Sequence, residues 1–322
     1  MTDLLITGAT GFVGSHLVEL LAERRLRVRA LVRATSDTSL LERHGVAPVV
    51  GSLGDVESLR RAVGDAPVVL HLAAATRALS PAAFHRVNAV GTERLLDAME
   101  ADGGRRRMVY LSSLAAVGPD RGRPVRPEDE PRPLTAYGRS KLAGERAALD
   151  RAGVEVAVLR PPAVYGPRDR DLLTFFRLAR WHVLPTTGAP DRPMQLVHAR
   201  DLAGAVLAAA GSRATGVFHV AEPRQYPWAE VLRLVARAVG RRAVSLRVPG
   251  PLVRAAAAVS EGVARATRRP VIFDRDKARE LLAPGWTCET ESARLGLGFE
   301  ATIALAEGLR ETAAWYRAYG WL

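Results

Sequence analysis

A tyrosine and a lysine stand four residues apart in the middle of the chain, at Tyr137 and Lys141. On a helix this spacing places both side chains on one face. A phenol titrates near pH ~10, but a neighbouring ammonium group favours the phenolate and lowers that pKa. The pair is therefore suited to move a proton to or from a reacting oxygen. The alternative is an amphipathic helix that carries an ordinary surface Tyr and Lys.

Lysine is rare in this sequence, which makes the lysine of the pair informative. The chain has 46 basic residues, of which 44 are arginines and only Lys141 and Lys277 are lysines. Ser113 ends the predicted strand that includes Tyr110 and Leu111, and ligands of open parallel sheets bind at strand ends. Its hydroxyl can hold a reacting oxygen, so Ser113 is the third candidate catalytic residue, although serine is also common in turns.

A glycine-rich turn follows the first apolar run of the chain. Gly8, Gly11 and Gly14 are spaced three residues apart between a predicted strand and a predicted helix. At such a turn, glycines allow a tight bend, close approach of a pyrophosphate and close packing of the helix on the strand. The sequence therefore predicts a dinucleotide site, with cofactor contacts from Gly8, Thr10, Gly11, Phe12, Val13 and Gly14.

The end of the second predicted strand indicates which dinucleotide binds. A carboxylate there accepts hydrogen bonds from the adenosine ribose and favours NAD. Here the strand is followed by Arg33, and the first carboxylate is Asp37. A guanidinium can form a charge-assisted fork on a 2′-phosphate, so we predict NADP(H). NAD(H) is the alternative, because arginine is abundant throughout the chain.

Strand and helix patterns alternate through the first half of the chain. Apolar runs predict strands at Leu4–Thr7, Val28–Val32, Ala47–Val50, Val68–Leu72, Met108–Leu111 and Val154–Leu159. Amphipathic patterns predict helices at Val13–Glu23, Ser36–Arg43, Val56–Val63, Pro81–Ala101 and Ala136–Arg151. This alternation predicts an α/β fold in which residues 1–166 form a Rossmann-type, doubly wound parallel sheet.

The pattern loosens after residue 166, where proline and glycine are frequent. Helices are predicted at Leu202–Ala210, Trp228–Val239 and Thr302–Tyr316. We expect a smaller, mostly helical C-terminal substrate lobe over residues 167–322, with residues 196–221 returning to the sheet. The alanine-rich run Leu252–Val263 is either part of an apolar entrance or a helix packed on this lobe.

Composition limits the class of protein. A 322-residue chain that is 48% hydrophobic and 25% charged is typical of a globular protein with two units. The net charge of +12 suggests a nucleic-acid partner, but the arginines are scattered, and we interpret them, including Arg105–Arg107, as a solvated basic surface. A single cysteine, Cys288, excludes an internal disulfide and a Cys-rich metal site. Without a signal-peptide pattern or an apolar run of ~20 residues, we expect a cytoplasmic protein that has no membrane span, metal or nucleic-acid partner.

These motifs resemble those of the extended short-chain dehydrogenase/reductases, the NAD(P)-dependent epimerase/dehydratase superfamily. The resemblance covers essentially the whole chain. Besides the glycine turn and the Ser, Tyr and Lys residues, it rests on His71-Leu72-Ala73-Ala74, Asn88 with Gly91-Thr92, Arg160 through Pro167, Val197-His198 with Asp201, and Gly308 through Tyr316.

The resemblance implies roles for further residues. Lys141 would bridge the nicotinamide ribose hydroxyls, and Asn88 would serve either a proton relay or helix packing. A homodimer would form through the helices Pro81–Ala101 and Ala136–Arg151. The other cofactor contacts implied are Leu53, Leu72, Ala73 and Ala74 on the adenosine side and Pro161 and Val164 at the nicotinamide.

Departures from the family pattern narrow the reaction. Dehydratases carry an Asp-Glu pair directly after the active-site hydroxyl, where this chain has Leu114 and Ala115. Nucleotide-sugar members commonly have an arginine that holds the diphosphate shortly before the Val-His motif, where this chain has Met194-Gln195-Leu196, although Arg192 or Arg200 is available as a substitute. The remaining pattern is similar to the dihydroflavonol-reductase-like, 3β-hydroxysteroid-dehydrogenase-like and hopanoid-associated members, whose ketone or secondary-alcohol substrates are often apolar.

We therefore predict an NADP(H)-dependent oxidoreductase that acts on a small carbonyl or alcohol compound. Tyr137 would donate the proton, Ser113 would hold the oxygen and Lys141 would orient the ribose. An NAD-dependent nucleotide-sugar 4-epimerase is the alternative. A redox-sensing or nucleic-acid-binding relative without turnover is disfavoured, because such proteins usually lose the Tyr/Lys pair. Peripheral contact with a membrane stays compatible with the apolar run.

Overall fold

Short strands alternate with helices in the protein, whose computed structural model describes residues 4–267, 269, 271 and 273–322. In chain order the strands are β1 (Leu4–Thr7), β2 (Val28–Val32), β3 (Ala47–Val50), β4 (Val68–His71), β5 (Arg106–Leu111), β6 (Val154–Arg160), β7 (Ala163–Tyr165), β8 (Val183–Thr187), β9 (Pro193–Met194), β10 (Leu196–His198), β11 (Gly216–His219), β12 (Tyr226–Pro227) and β13 (Val244–Val248). The α-helices are α1 (Phe12–Glu23), α2 (Ser39–Arg43), α3 (Val56–Val63), α4 (Pro81–His85), α5 (Gly91–Glu100), α6 (Ala136–Leu149), α7 (Leu173–Arg180), α8 (Ala199–Gly211), α9 (Trp228–Ala238), α10 (Gly250–Thr267), α11 (Arg275–Leu282), α12 (Glu291–Leu297) and α13 (Leu305–Ala318).

Seven strands form one parallel sheet in the order β11-β6-β5-β4-β1-β2-β3. Helices cover both faces of it, so its strands are hydrophobic on both sides. Leu17 of α1 and Val206 of α8 belong to the core on one face, while Leu59 of α3 and Leu96 of α5 belong to the core on the other. The predicted Rossmann-type, doubly wound α/β fold is confirmed. The strand order reverses between β1 and β4, which is where such sheets bind ligands.

A separate hydrophobic core lies in the C-terminal part of the chain. Helices α7, α9 and α13 form it, with Phe176, Leu232 and Tyr316 among its buried side chains. Three two-stranded sheets, β7 with β10, β8 with β13 and β9 with β12, accompany these helices. The segment 196–221 connects the two parts, because β10 pairs with β7, α8 covers the large sheet and β11 extends its edge.

Several elements begin or end up to three residues from their predicted bounds, and two differences go further than a shifted helix end. The predicted helix Pro81–Ala101 is interrupted by a π-helical turn at Arg86–Val90, which separates α4 from α5. Strand β5 begins two residues early because Arg106 and Arg107 are buried, so the expectation that they are solvated is wrong. Arg106 Nη2 donates to the Gly64 carbonyl oxygen at 2.6 Å, and Arg107 Nε donates to the Ala209 carbonyl oxygen at 2.9 Å.

Candidate active site

A cavity of about 580 Å³ lies where the large sheet meets the C-terminal part of the chain. The carboxyl ends of β1, β4, β5 and β6 contribute Gly8, Leu72, Ser112 and Pro161 to its wall. Helices α6, α7 and α11 contribute further side chains to the wall. Because open parallel sheets bind ligands at this edge, the cavity is the candidate active site.

The glycine turn between β1 and α1 forms one end of the cavity. Gly8 has φ +81°, and a Cβ on it would lie 2.6 Å from the Ala73 amide nitrogen, so only glycine fits. A Cβ on Gly14 would overlap the Gly8 carbonyl oxygen. Beside Gly11 the space is more open, and none of the described side chains caps the first amides of α1. Uncapped backbone N–H groups at a helix N-terminus fit the pyrophosphate of a dinucleotide.

The remaining predicted cofactor residues fall into two groups. Thr10 and Arg33 are exposed outside the cavity, Leu53 packs against the hydrophobic core, and Ala73 places its backbone behind Gly8. The other predicted residues line the cavity: Phe12, Val13, Leu72, Ala74, Lys141, Pro161 and Val164.

The three predicted catalytic side chains meet in the cavity wall. Ser113 follows β5, and its Oγ accepts a hydrogen bond from the Ala115 amide at 3.1 Å. Tyr137 lies in the first turn of α6, whose N-cap is Thr135, and the nearby Ser113 hydroxyl favours the ionised form of its phenol. Lys141 follows one turn later on the same helix, and all three residues line the same space.

The surroundings of Tyr137 raise the pKa of its hydroxyl. Burial is the largest cause, the Glu280 carboxylate raises the pKa further, and the neighbouring Ser113 hydroxyl opposes both. The spacing of Tyr137 and Lys141 predicts a lowered pKa, whereas burial and the Glu280 carboxylate act in the opposite direction. A protonated phenol at this place is a proton donor, as reduction of a carbonyl requires.

Lys141 directs its ammonium group toward the end of β5. Nζ donates to the Leu111 carbonyl oxygen at 2.8 Å and lies 4.2 Å from the centre of the Tyr110 ring. Burial lowers the pKa of Lys141 to about 7, against an opposing effect of the Glu145 carboxylate. Near neutral pH the amine is therefore only partly protonated.

A buried carboxylate holds α6 against the sheet behind these groups. Glu145 accepts hydrogen bonds from Arg160 Nε at 3.0 and 3.1 Å and from Arg160 Nη2 at 2.5 Å. It also accepts a hydrogen bond from the Ser112 hydroxyl. One carboxylate thus connects the ends of β5 and β6 to the helix that carries Tyr137 and Lys141.

Asn88 occupies a structural position in the π-helical turn. Its Nδ2 donates to the Ala75 carbonyl oxygen at 3.0 Å and to Ser140 Oγ at 2.9 Å, and its Oδ1 accepts from the Ala75 amide at 2.7 Å. These bonds tie the loop after β4 to α6. Of the two roles considered for Asn88, the contacts favour helix packing.

Helix α11 brings charged residues that no sequence motif predicted to the start of α6. Asp276 Oδ2 accepts a hydrogen bond from the Ala136 amide at 2.6 Å, and Lys277 Nζ donates to Glu280 Oε2 at 3.1 Å. Asp276, Lys277 and Glu280 all line the cavity. The rarity of lysine is the one sequence signal that marks this helix, since Asp276 and Ala136 are 140 positions apart.

Arg192 is the buried arginine of the cavity wall. It donates through Nη1 to the Leu281 carbonyl oxygen, and its guanidinium carbon lies 5.2 Å from the Trp228 ring centre. Its Nε has no hydrogen-bond partner among the described residues. Arg200 instead pairs with Glu23 at 3.0 Å, where both side chains are exposed. Of the two arginines considered as diphosphate anchors, only Arg192 lines the cavity.

Lys141→Met is expected to stabilise the protein when no cofactor is added. The lysine pKa is lowered from 10.5 to about 7, so below pH 7 the folded state holds a charge that burial disfavours, and this penalty shrinks as the pH rises toward 10.5. Denaturant unfolding should show a gain of ~1 kcal/mol or more near pH ~6 and a smaller gain near pH ~9.

The other lysine provides the matched control for this prediction. The Glu280 carboxylate raises the pKa of Lys277, and the lysine ammonium lies 3.1 Å from Glu280 Oε2, so Lys277→Met removes an ion pair and should destabilise the protein slightly. A Lys141→Met protein that is less stable than wild type at both pH values would contradict the prediction.

Comparison with known proteins identifies the family. Residues 4–221 match the model of the NAD dependent epimerase/dehydratase family. A ceramide reductase of Caulobacter vibrioides is 35% identical over 98% of this chain and 95% of its own length. A 4-hydroxy-2-methyl-3-oxo-4-farnesyl-3,4-dihydroquinoline-1-oxide ketoreductase of Stigmatella aurantiaca is 29% identical over 94% of this chain and 93% of its own. The solved structure of MoeE5 in complex with UDP-glucuronic acid and NAD is 28% identical, matches 98% of this chain and 99% of its own, and has a TM-score of 0.76.

The matches agree with the resemblance that the motifs indicate. The chain belongs to the NAD-dependent epimerase/dehydratase family of extended short-chain dehydrogenase/reductases, whose members are NAD(P)-dependent oxidoreductases and epimerases.

Proposed function

We propose that the protein is an NADP(H)-dependent reductase or dehydrogenase. Its substrate would be a ketone or secondary alcohol on a largely apolar small molecule. The observation that carries the proposal is the position of Ser113, Tyr137 and Lys141 in the cavity that begins at the glycine turn. A proton donor and a dinucleotide-binding turn that line the same cavity allow a proton and a hydride to be transferred to one bound substrate.

Each of the three side chains has a distinct role in the reduction direction. Tyr137 donates its proton to the carbonyl oxygen, while the Ser113 hydroxyl holds that oxygen by a hydrogen bond. Lys141 would hold the nicotinamide ribose, and Pro161 and Val164, which line the cavity, would border the nicotinamide. NADPH, when bound, supplies the hydride, which together with the tyrosine proton converts C=O to CH–OH. The oxidation of an alcohol uses the same groups in reverse.

The wall beyond Tyr137 supports an apolar substrate. Four aromatic side chains line the cavity, namely Phe84, Phe175, Trp228 and Trp286, and the charged residues of α11 line it as well. Two relatives are named as reductases, one of ceramide and one of a farnesyl-substituted quinoline oxide, which supports a carbonyl on an apolar molecule.

The residues after Ser113 support reduction rather than dehydration. Leu114 and Ala115 are buried in the cavity wall, where elimination of water needs an additional acid and base. The two residues after Ser113 therefore carry apolar side chains and not the carboxylates that dehydration requires.

An NAD-dependent nucleotide-sugar 4-epimerase is the second candidate, and Arg192 is the observation that favours it. A buried guanidinium in the cavity suits a diphosphate, and MoeE5 was solved with UDP-glucuronic acid and NAD. Against it, the Leu281 carbonyl oxygen engages Arg192 Nη1, and Met194 stands where a diphosphate anchor is expected. Saturable binding of a UDP sugar that Arg192→Met abolishes would favour the epimerase.

The oligomeric state, the cellular location and the absence of a nucleic-acid partner stay predictions from the sequence. A relative without turnover is disfavoured because Ser113, Tyr137 and Lys141 are all present. The homodimer through the helices around α5 and α6, the cytoplasmic location and the lack of a nucleic-acid partner are expectations from the sequence.

Tyr137→Phe is expected to remove most of the turnover, because it deletes the proton donor. A screen of ketosteroids, β-keto acyl compounds, flavanones and sugar nucleotides at the reduced-nicotinamide absorbance identifies a substrate. With that substrate, kcat/KM of the variant should fall by ~10²-fold or more. Cofactor affinity, measured by fluorescence titration, should be unchanged. Tyr319→Phe alters an exposed tyrosine and should keep full activity, whereas full activity of Tyr137→Phe would contradict the assignment.

Arg33→Gln is expected to weaken the use of NADPH much more than the use of NADH. Arg33 directly follows β2, and the nearest carboxylate in sequence, Asp37, already accepts a hydrogen bond from the Ser39 amide at 3.0 Å. Loss of a charge-assisted fork on the 2′-phosphate should raise the KM for NADPH by ~10-fold. Arg43→Gln, on the surface of α2, is the matched control. A wild-type protein that uses NADH at least tenfold more efficiently than NADPH would overturn the preference.

A further inference from the structure

Helix α10 packs on the outside of α11 through one face. Val253, Ala257 and Ala264 are buried on this face, and the first two form a small core with Ala278 of α11. The cavity-lining residues of α11, such as Lys277, lie on a different side of that helix. Helix α10 is therefore an outer layer over the wall of the active-site cavity.

A second face of α10 is apolar and exposed along the length of the helix. Leu252, Val259 and Val263 are 60%, 69% and 53% exposed, and they recur at helical spacing. Small apolar residues fill the positions between them on this face: Pro251, Ala255, Ala256, Gly262 and Ala266. The charged residues of the helix lie on a third side: Arg254, Glu261 and Arg265.

Positive charge accompanies this apolar face. Residues 240–272 contain seven arginines and one acidic residue, a net charge of +6. That acid, Glu261, already pairs with Arg265 at 2.5 Å and with Arg275 at 3.3 Å. Within the described part of the chain, the exposed Arg247 and Arg254 have no acidic partner.

The strand that precedes α10 adds further exposed apolar side chains. Val244 and Leu246 of β13 are exposed, and Val244 is paired in the sheet with Val183 of β8, which is exposed as well. Trp181 lies two residues before Val183 and is exposed. Tryptophan is enriched where proteins meet the membrane–water interface.

We propose that α10 docks the protein onto the surface of an anionic lipid bilayer. An apolar helix face flanked by arginines matches an interfacial helix, whose apolar side chains enter the acyl boundary while guanidinium groups bind lipid phosphates. None of the helices in the described ranges has both the length and the apolar character needed to cross a bilayer, so the proposed contact is peripheral. This proposal is independent of the substrate of the active site.

Other binding partners match the combination of an apolar face and flanking arginines on α10 less well. A symmetric contact with a second copy would bring two segments of net charge +6 together, and their repulsion opposes it. A nucleic acid would pair with the arginines but leave Leu252, Val259 and Val263 without an apolar partner. A bilayer surface offers phosphates and acyl chains together.

Flotation of the full-length protein with lipid vesicles tests the proposal. The wild type is expected to float with vesicles made of equal parts phosphatidylglycerol and phosphatidylcholine, and to bind pure phosphatidylcholine vesicles weakly. The double variant Val259→Glu/Val263→Glu places charges in the apolar face and should lower the partition coefficient by ~10-fold or more. The double variant Arg247→Gln/Arg254→Gln should lower it by ~5-fold or more, on the anionic vesicles only.

Matched substitutions elsewhere on the surface control for general effects of charge. Leu295→Glu alters a leucine that is 70% exposed on α12, and Arg43→Gln removes a surface arginine of α2; both should bind vesicles as the wild type does. Circular dichroism and thermal unfolding check the fold of every variant. A wild type that does not float with anionic vesicles, or a Val259→Glu/Val263→Glu variant that floats equally well, overturns the proposal. So does a wild-type dimer that this variant converts to monomers.

Discussion

Glu145 lies where β5, β6 and α6 meet, and its carboxylate accepts hydrogen bonds from side chains at the ends of both strands. Arg160 donates to it from the end of β6, and the Ser112 hydroxyl donates to it from the end of β5. The ion pair is almost completely buried, so removal of one partner would leave an unpaired charge in the core at a cost of about 3–5 kcal/mol. The placement of Tyr137 and Lys141 beside Ser113 depends on this junction.

The electrostatics of the cavity follow from the same burial. Burial and the Glu280 carboxylate of α11 raise the pKa of the Tyr137 phenol. Burial lowers the pKa of the Lys141 amine, which is oriented by the Leu111 carbonyl oxygen. Residues from two helices far apart in the chain therefore act together on the pKa of the proposed proton donor.

The large sheet and the glycine turn could be predicted from the sequence because their signals are local. Apolar runs mark strands that are covered on both faces, and the Gly8 turn lies directly between β1 and α1. Local patterns did not predict that β5 begins at Arg106. The Arg106 guanidinium can be buried because it donates hydrogen bonds to backbone carbonyl oxygens that are distant in the sequence. The direction of the Tyr137 pKa and the approach of Glu280 depend on tertiary packing, which the spacing of Tyr137 and Lys141 does not encode.

The fate of the hydride tests the proposed reaction most directly. The protein would be incubated with a substrate from the screen and with NADPH that carries deuterium at both C4 positions of the nicotinamide. A reductase transfers one deuterium to the alcohol carbon of the product for each NADPH oxidised, and the Tyr137→Phe variant transfers almost none. Product that forms without net oxidation of NADPH and without deuterium, as in an epimerase that re-reduces its own substrate, would contradict the account.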